Sequence, residues 1–90
     1  MSNKVSFLEK LGSTIRRFRK ERKMSLDTLS ALCNCEKANL SRIESGKTNA
    51  TVYTLYNISR VMGIAMSTLF EEAMAEQETD EDSTGRQVAA

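Results

Sequence analysis

Histidine is absent from this 90-residue chain, and cysteine occurs only twice. Without histidine there is no imidazole to serve as a general base or a metal ligand. Cys33 and Cys35 stand two residues apart. A disulfide between them would be strained, and two thiols cannot by themselves complete a tetrahedral zinc site. They read as small buried hydrophobes, with a redox or metal switch as the alternative. Four glycines are too scattered to form a phosphate-cradling loop, and no nucleophile elbow is present. An enzyme is therefore not expected, and neither a metal nor a cofactor is implied. No apolar run approaches the ~20 residues that span a bilayer. The first residues, Met1 to Phe7, lack the apolar core and cleavage site of a signal peptide. A cytoplasmic protein without a membrane partner is expected.

Charge is present but unevenly placed. Residues 1–65 carry 12 lysines and arginines against 5 carboxylates, a net +7. Residues 66–90 carry 1 against 7, a net −6. A basic body with an acidic tail calls for a polyanion as partner of the body.

The pattern of apolar residues is helical throughout. Residues 1–5 read as a loose arm. Ser6 and Glu9 have capping-box spacing, and Leu8, Leu11, Ile15, Phe18 and Arg22 follow at three- and four-residue steps. That first helix should end near Lys23. Ser25 is an N-cap for a second helix, about Leu26–Cys33, whose apolar edge is Leu26, Leu29 and Leu32. Asn34 can take the left-handed conformation that ends it. A third helix follows over Glu36–Ser45. Leu40 and Ile43 give it one apolar edge, while Lys37, Ala38, Ser41, Arg42 and Ser45 fall mostly on the other side. That outward face is short, polar and cationic, a surface suited to base edges in a DNA groove. Two short helices joined by a turn, with such a face on the second, form a helix-turn-helix pattern.

Gly46 closes the third helix, and Lys47 to Thr51 is a small polar loop able to present donors to phosphates. Thr51 caps a fourth helix ending at Gly63, apolar around more than half its circumference and expected to be the most buried. A fifth helix, about Met66–Ala75, completes a folded unit over 6–75. Ile64, Met66, Leu69, Phe70, Ala73 and Met74 form a strip that reads as a homodimer contact, with packing inside the monomer as the alternative. Residues 76–90 are acidic, almost without large apolar side chains, and expected to be disordered. They are a candidate contact for a protein partner.

Taken together, Leu11–Phe70 resembles the phage-repressor and Cro type of helix-turn-helix domain, the xenobiotic-response-element family. The carriers are Leu11-Gly12, Ile15-Arg16, Phe18-Arg19-Lys20-Glu21, Met24-Ser25-Leu26, Leu29, the run Leu40 to Lys47, Asn49, Leu55, Ile58, Gly63-Ile64 and Leu69-Phe70. The small chain is also similar to restriction–modification controller proteins. The resemblance implies an all-α, five-helix, lambda-repressor-like fold with an Arg19–Glu44 pair, which the phase of both helices also supports. It places Lys37, Ala38, Asn39 and Arg42 over bases. The backbone N–H of Leu26, with Ser41, Ser45, Lys47 and Asn49, would clamp phosphates. Arg16, Arg17 and Lys20 are further candidates from the first helix, Arg17 among the phosphate contacts. Lys23 and Asn34 stand where the family commonly has glycine. The function implied is a sequence-specific transcription regulator, dimeric on an inverted-repeat operator in double-stranded DNA and autoregulatory as repressor or activator. The alternative is an antitoxin-type interaction module with secondary DNA binding.

Overall fold

A computed structural model describes residues 3–81 and shows five helices in chain order: α1 Asn3–Glu21, α2 Leu26–Leu32, α3 Lys37–Glu44, α4 Val52–Met62 and α5 Met66–Glu81. No strand occurs among the described residues. Helix α1 lies along α5 on one side and crosses the end of α3 on the other; α2 packs on α3, and α4 on α5 and α2. The core they enclose is Leu11, Ile15, Phe18, Leu29, Cys33, Leu40, Ile43, Leu55, Ile58, Met62, Leu69 and Ala73.

Local chemistry sets most helix ends. Ser25 accepts from the Thr28 N–H at 3.0 Å, and Thr51 from the Thr54 N–H at 3.1 Å. Each satisfies one of the donors that a helix start leaves unpaired. Four helices close by one shared device. Lys23, Asn34, Gly46 and Gly63 all have left-handed backbone, with φ of 58°, 58°, 76° and 73°. The N–H after each reaches the carbonyl five residues back: Met24 to Arg19, Cys35 to Ser30, Lys47 to Arg42, and Ile64 to Ser59, at 2.9–3.2 Å. Met24, Cys35 and Ile64 then pack against the core, the apolar contact that accompanies this ending. Arg22 reinforces the last of these turns by donating to the Met62 carbonyl at 2.7 Å.

The structure corrects several expectations. Helix α1 begins at Asn3, so residues 3–5 are not a loose arm. The Phe7 ring stacks on Phe70 with centroids 6.3 Å apart, which fixes that end of α1. Extending a helix from a fixed turn is far easier than starting one, and no breaker precedes Phe7. Helix α5 likewise runs to Glu81, not Ala75. Glu76, Gln77 and Glu78 are good helix formers, and no glycine occurs before Gly85. The remainder of the expected acidic tail, 82–90, lies outside the described residues. Leu32 is 54% exposed, because the buried step along α2 is Leu29 to Cys33. Helix α4 is not buried all round. Leu55, Ile58 and Met62 face the core, whereas Val52 and Tyr53 are 72% and 70% exposed, since α4 meets its neighbours along one side only.

Lys23 carries the cost of a left-handed backbone that its Cβ disfavours by about 1–2 kcal/mol. Lys23→Gly is expected to raise stability by about 0.5–1 kcal/mol after the added freedom of the unfolded chain is counted. Asn34→Gly should gain less, because asparagine tolerates this region. Urea unfolding of the two variants checks the order; a lower midpoint for Lys23→Gly would contradict the assignment.

Candidate nucleic-acid interface

Helix α3 is held from behind. Leu40 and Ile43 enter the core, and Glu44 is buried beside them. Behind Glu44 stands Arg19 of α1. Its Nε donates to Glu44 Oε2 at 2.7 Å and its Nη2 to Oε1 at 3.0 Å, while Nη1 donates to the Met24 carbonyl at 2.9 Å. Arg19 and Glu44 retain only 8% and 9% of their exposure. This is the two-pronged geometry for which guanidinium is suited, and it raises the Arg19 pKa further through the hydrogen bond to Glu44. The pair expected from the sequence is present, with a third hydrogen bond that the sequence did not show.

With that side committed, Lys37, Ala38, Ser41, Arg42 and Ser45 face outward and Asn39 is half-buried. Glu36 occupies the N-cap in extended backbone but makes no side-chain cap hydrogen bond. A carboxylate there still favours the positive helix end. Lys37 does not swing free: its Nζ lies 3.2 Å from Asp27 Oδ1 at the start of α2. The Ser45 hydroxyl donates to the carbonyls of Ser41 and Arg42 at 3.1 and 3.2 Å, so its proton is already engaged. Lys47 and Asn49 are exposed in the loop that follows.

Between α1, the start of α2 and the outer flank of α3 lies an open cleft lined by Arg16, Arg19, Leu26, Ser41, Glu44 and Ser45. It brings three of the expected phosphate-clamp positions, Leu26, Ser41 and Ser45, around Arg16, the lining cation that is not bound to Glu44. Arg17 points to the other side of α1, where its Nη2 donates to Glu72 of α5 at 2.8 Å and its guanidinium lies 4.9 Å from the centre of the Phe18 ring. Arg17 therefore does not line the cleft. Helical phase could have separated the two, because Arg16 is one turn from both Gly12 and Arg19, the positions that meet α3. The role of Asp27 had no such signal, since its partner is on another helix.

The strip expected to form a dimer contact divides. Leu69 and Ala73 are fully buried in the monomer and unavailable to a second copy. Ile64, Met66 and Phe70 are half-buried against the same core, and Met74 is exposed. The cause is the long α1, which covers one flank of α5.

The two cysteines are free thiols. Burial, with a smaller push from Cys35, raises the Cys33 thiol to about 11, and burial also raises Cys35. Neither has the lowered pKa of a reactive thiolate.

Comparison with known proteins followed the same direction. The Helix-turn-helix family HTH_3 matches residues 15–69. Over 55 residues the chain is 31% identical to an uncharacterized HTH-type transcriptional regulator, y4dJ, of Sinorhizobium fredii, covering 61% of this chain and 71% of that protein. The clp gene regulator ClgR from Corynebacterium glutamicum has a similar structure, with a TM-score of 0.76, 26% identity and 84% of each chain covered. So has the restriction–modification controller protein C.Esp1396I, solved as a tetramer in complex with its natural 35 base-pair operator. Its TM-score is 0.70 at 26% identity, with 78% of this chain and 92% of that one covered.

Glu44→Gln would leave Arg19 charged, buried and without its counter-ion. A loss of about 3 kcal/mol in unfolding free energy is expected. Chemical denaturation checks this, and a loss below 1 kcal/mol would show that the pair contributes little to holding α3.

Proposed function

This chain belongs to the helix-turn-helix family HTH_3, and we propose that it is a sequence-specific, DNA-binding transcription regulator acting in the cytoplasm. One observation carries the reading. Leu40, Ile43 and the Arg19–Glu44 pair anchor α3 from one side, leaving a cationic, hydrogen-bonding face unoccupied on the other. An α-helix presenting such a face fits the major groove of B-DNA.

In this reading Lys37, Ala38, Asn39 and Arg42 meet base edges. Arg42 takes a guanine through two hydrogen bonds, and the Ala38 methyl packs on a thymine methyl. The Leu26 N–H, Ser41, Ser45, Lys47 and Asn49 hold the flanking phosphates, with Arg16 in the position first given to Arg17. These contacts set register on the duplex and do not read sequence. Two copies related by a two-fold axis place their α3 helices about 34 Å apart, which calls for an inverted-repeat operator. The exposed remainder of the α5 strip, Met74 with the edges of Ile64, Met66 and Phe70, is the surface left for that contact. Control through the protein's own promoter, as repressor or activator, follows if the inverted repeat lies upstream of its gene.

The test uses a duplex spanning that upstream region and a scrambled duplex of equal length. Arg42→Ala is expected to weaken binding to the first by about 1–3 kcal/mol and to change binding to the second far less. Lys47→Ala should weaken both and reduce the salt dependence. Equal losses on both duplexes for Arg42→Ala would remove it as a base reader.

A further inference from the structure

Asp27 and Lys37 come from different helices, yet their charged groups meet at 3.2 Å. Their side chains are 73% and 57% exposed, so the pair adds little to stability. Its position is more informative than its strength. Lys37 opens α3 and Asp27 is in the first turn of α2. The pair stands beside the outward face of α3, carrying a donor and an acceptor side by side.

The major-groove edge of a G·C base pair shows the complementary set. Guanine offers two acceptors, N7 and O6, and cytosine offers the N4 donor. O6 and N4 are hydrogen-bonded to each other, hence about 2.9–3.0 Å apart. The ammonium and carboxylate have nearly that spacing. An ammonium has three donors. With one spent on Asp27, two remain for O6 and N7. The carboxylate, an acceptor only, keeps lone pairs for N4–H. A T·A pair in the same place also sets an acceptor, thymine O4, beside a donor, adenine N6, but it puts the thymine methyl where guanine N7 stood and so leaves Lys37 one acceptor instead of two. A reversed C·G pair sets like against like.

We propose that Asp27 and Lys37 act as a unit that reads one G·C base pair, Lys37 donating to guanine O6 and N7 and Asp27 accepting from cytosine N4. This rests on the DNA-binding reading above. Asp27 is then a specificity-determining residue, and it also keeps Lys37 off the phosphates that would otherwise attract it.

The experiment is selection of binding sites from a random-sequence duplex pool by the full chain, its Asp27→Asn and Arg42→Ala variants, followed by affinity measurement on single base-pair changes. Asparagine also suits a helix start, and equal melting temperatures will show that the fold is kept. The wild type is expected to select, in each half-site, a G·C pair whose replacement costs on the order of ten-fold in affinity. Asp27→Asn should reduce that to about two-fold, leave the positions read by Arg42 unchanged, and steepen the salt dependence of non-specific binding by about one released ion. An Asp27→Asn variant that selects the wild-type motif with undiminished discrimination at every position overturns the proposal. A wild type that selects no motif overturns the DNA-binding reading itself, and this inference with it.

Discussion

Helix α3 can present a fixed face only if its far end is pinned, and the pinning surface is one side of α1. Gly12 is where the two backbones meet. A Cβ there would lie 2.3 Å from the Ile43 carbonyl oxygen and 2.5 Å from that of Glu44, closer than such atoms approach. Neither is the end of a flexible side chain, so only glycine permits this crossing. One turn earlier, the backbone of Glu9 lies under Gly46, where an added Cβ would come within 2.7 Å of the Glu9 Cα. Two turns later, Arg19 takes the Glu44 carboxylate. Positions 9, 12, 16 and 19 form one face of α1, and each borders the C-terminal half of α3 or its closing turn.

Pinning the C-terminal half has a consequence for charge. It directs the one buried carboxylate of α3 inward, where Arg19 neutralises it, and leaves the cations of α3 outside. The cations on this side are not all equivalent. Lys37 of α3 is drawn toward Asp27, whereas Arg16 of α1 lines the cleft with Ser41 and Ser45. The same α1 that holds α3 with one face uses its other to hold α5, through Phe7 on Phe70 and Arg17 on Glu72. One helix thus sets the outward face of α3 and also removes Leu69 and Ala73 from the surface.

What the sequence disclosed follows the range of the interactions involved. The caps at Ser25 and Thr51 and the stops at Asn34, Gly46 and Gly63 depend on chemistry within a few residues, and all were legible. The Arg19–Glu44 pair was implied by the family resemblance, and the phase of the two helices supported it, since a half-buried carboxylate needs a cation. What the sequence did not show has other causes. Arg17 and Glu72 are 55 residues apart, and nothing local pairs them. Asp27 and Lys37 meet only because α2 and α3 cross at one particular angle. The apolar abundance of α4 suggested the most buried helix, yet Val52 and Tyr53 are exposed, because periodicity counts apolar residues without saying how many neighbours will cover them. The start of α1 and the end of α5 lie further out than expected because helix extension is cooperative, which residue-by-residue reading does not register.

The central claim is that the outward face of α3, with the loop after it, is the surface that meets DNA. Backbone amide chemical shifts followed during titration with the duplex from upstream of the protein's own gene test it directly. The largest changes are expected at Leu26, Lys37 to Arg42 and Ser45 to Asn49, with the flank of α1 that faces α5 nearly silent. Largest changes on α4 or along the α1–α5 seam, with Lys37 to Arg42 unmoved, would contradict it.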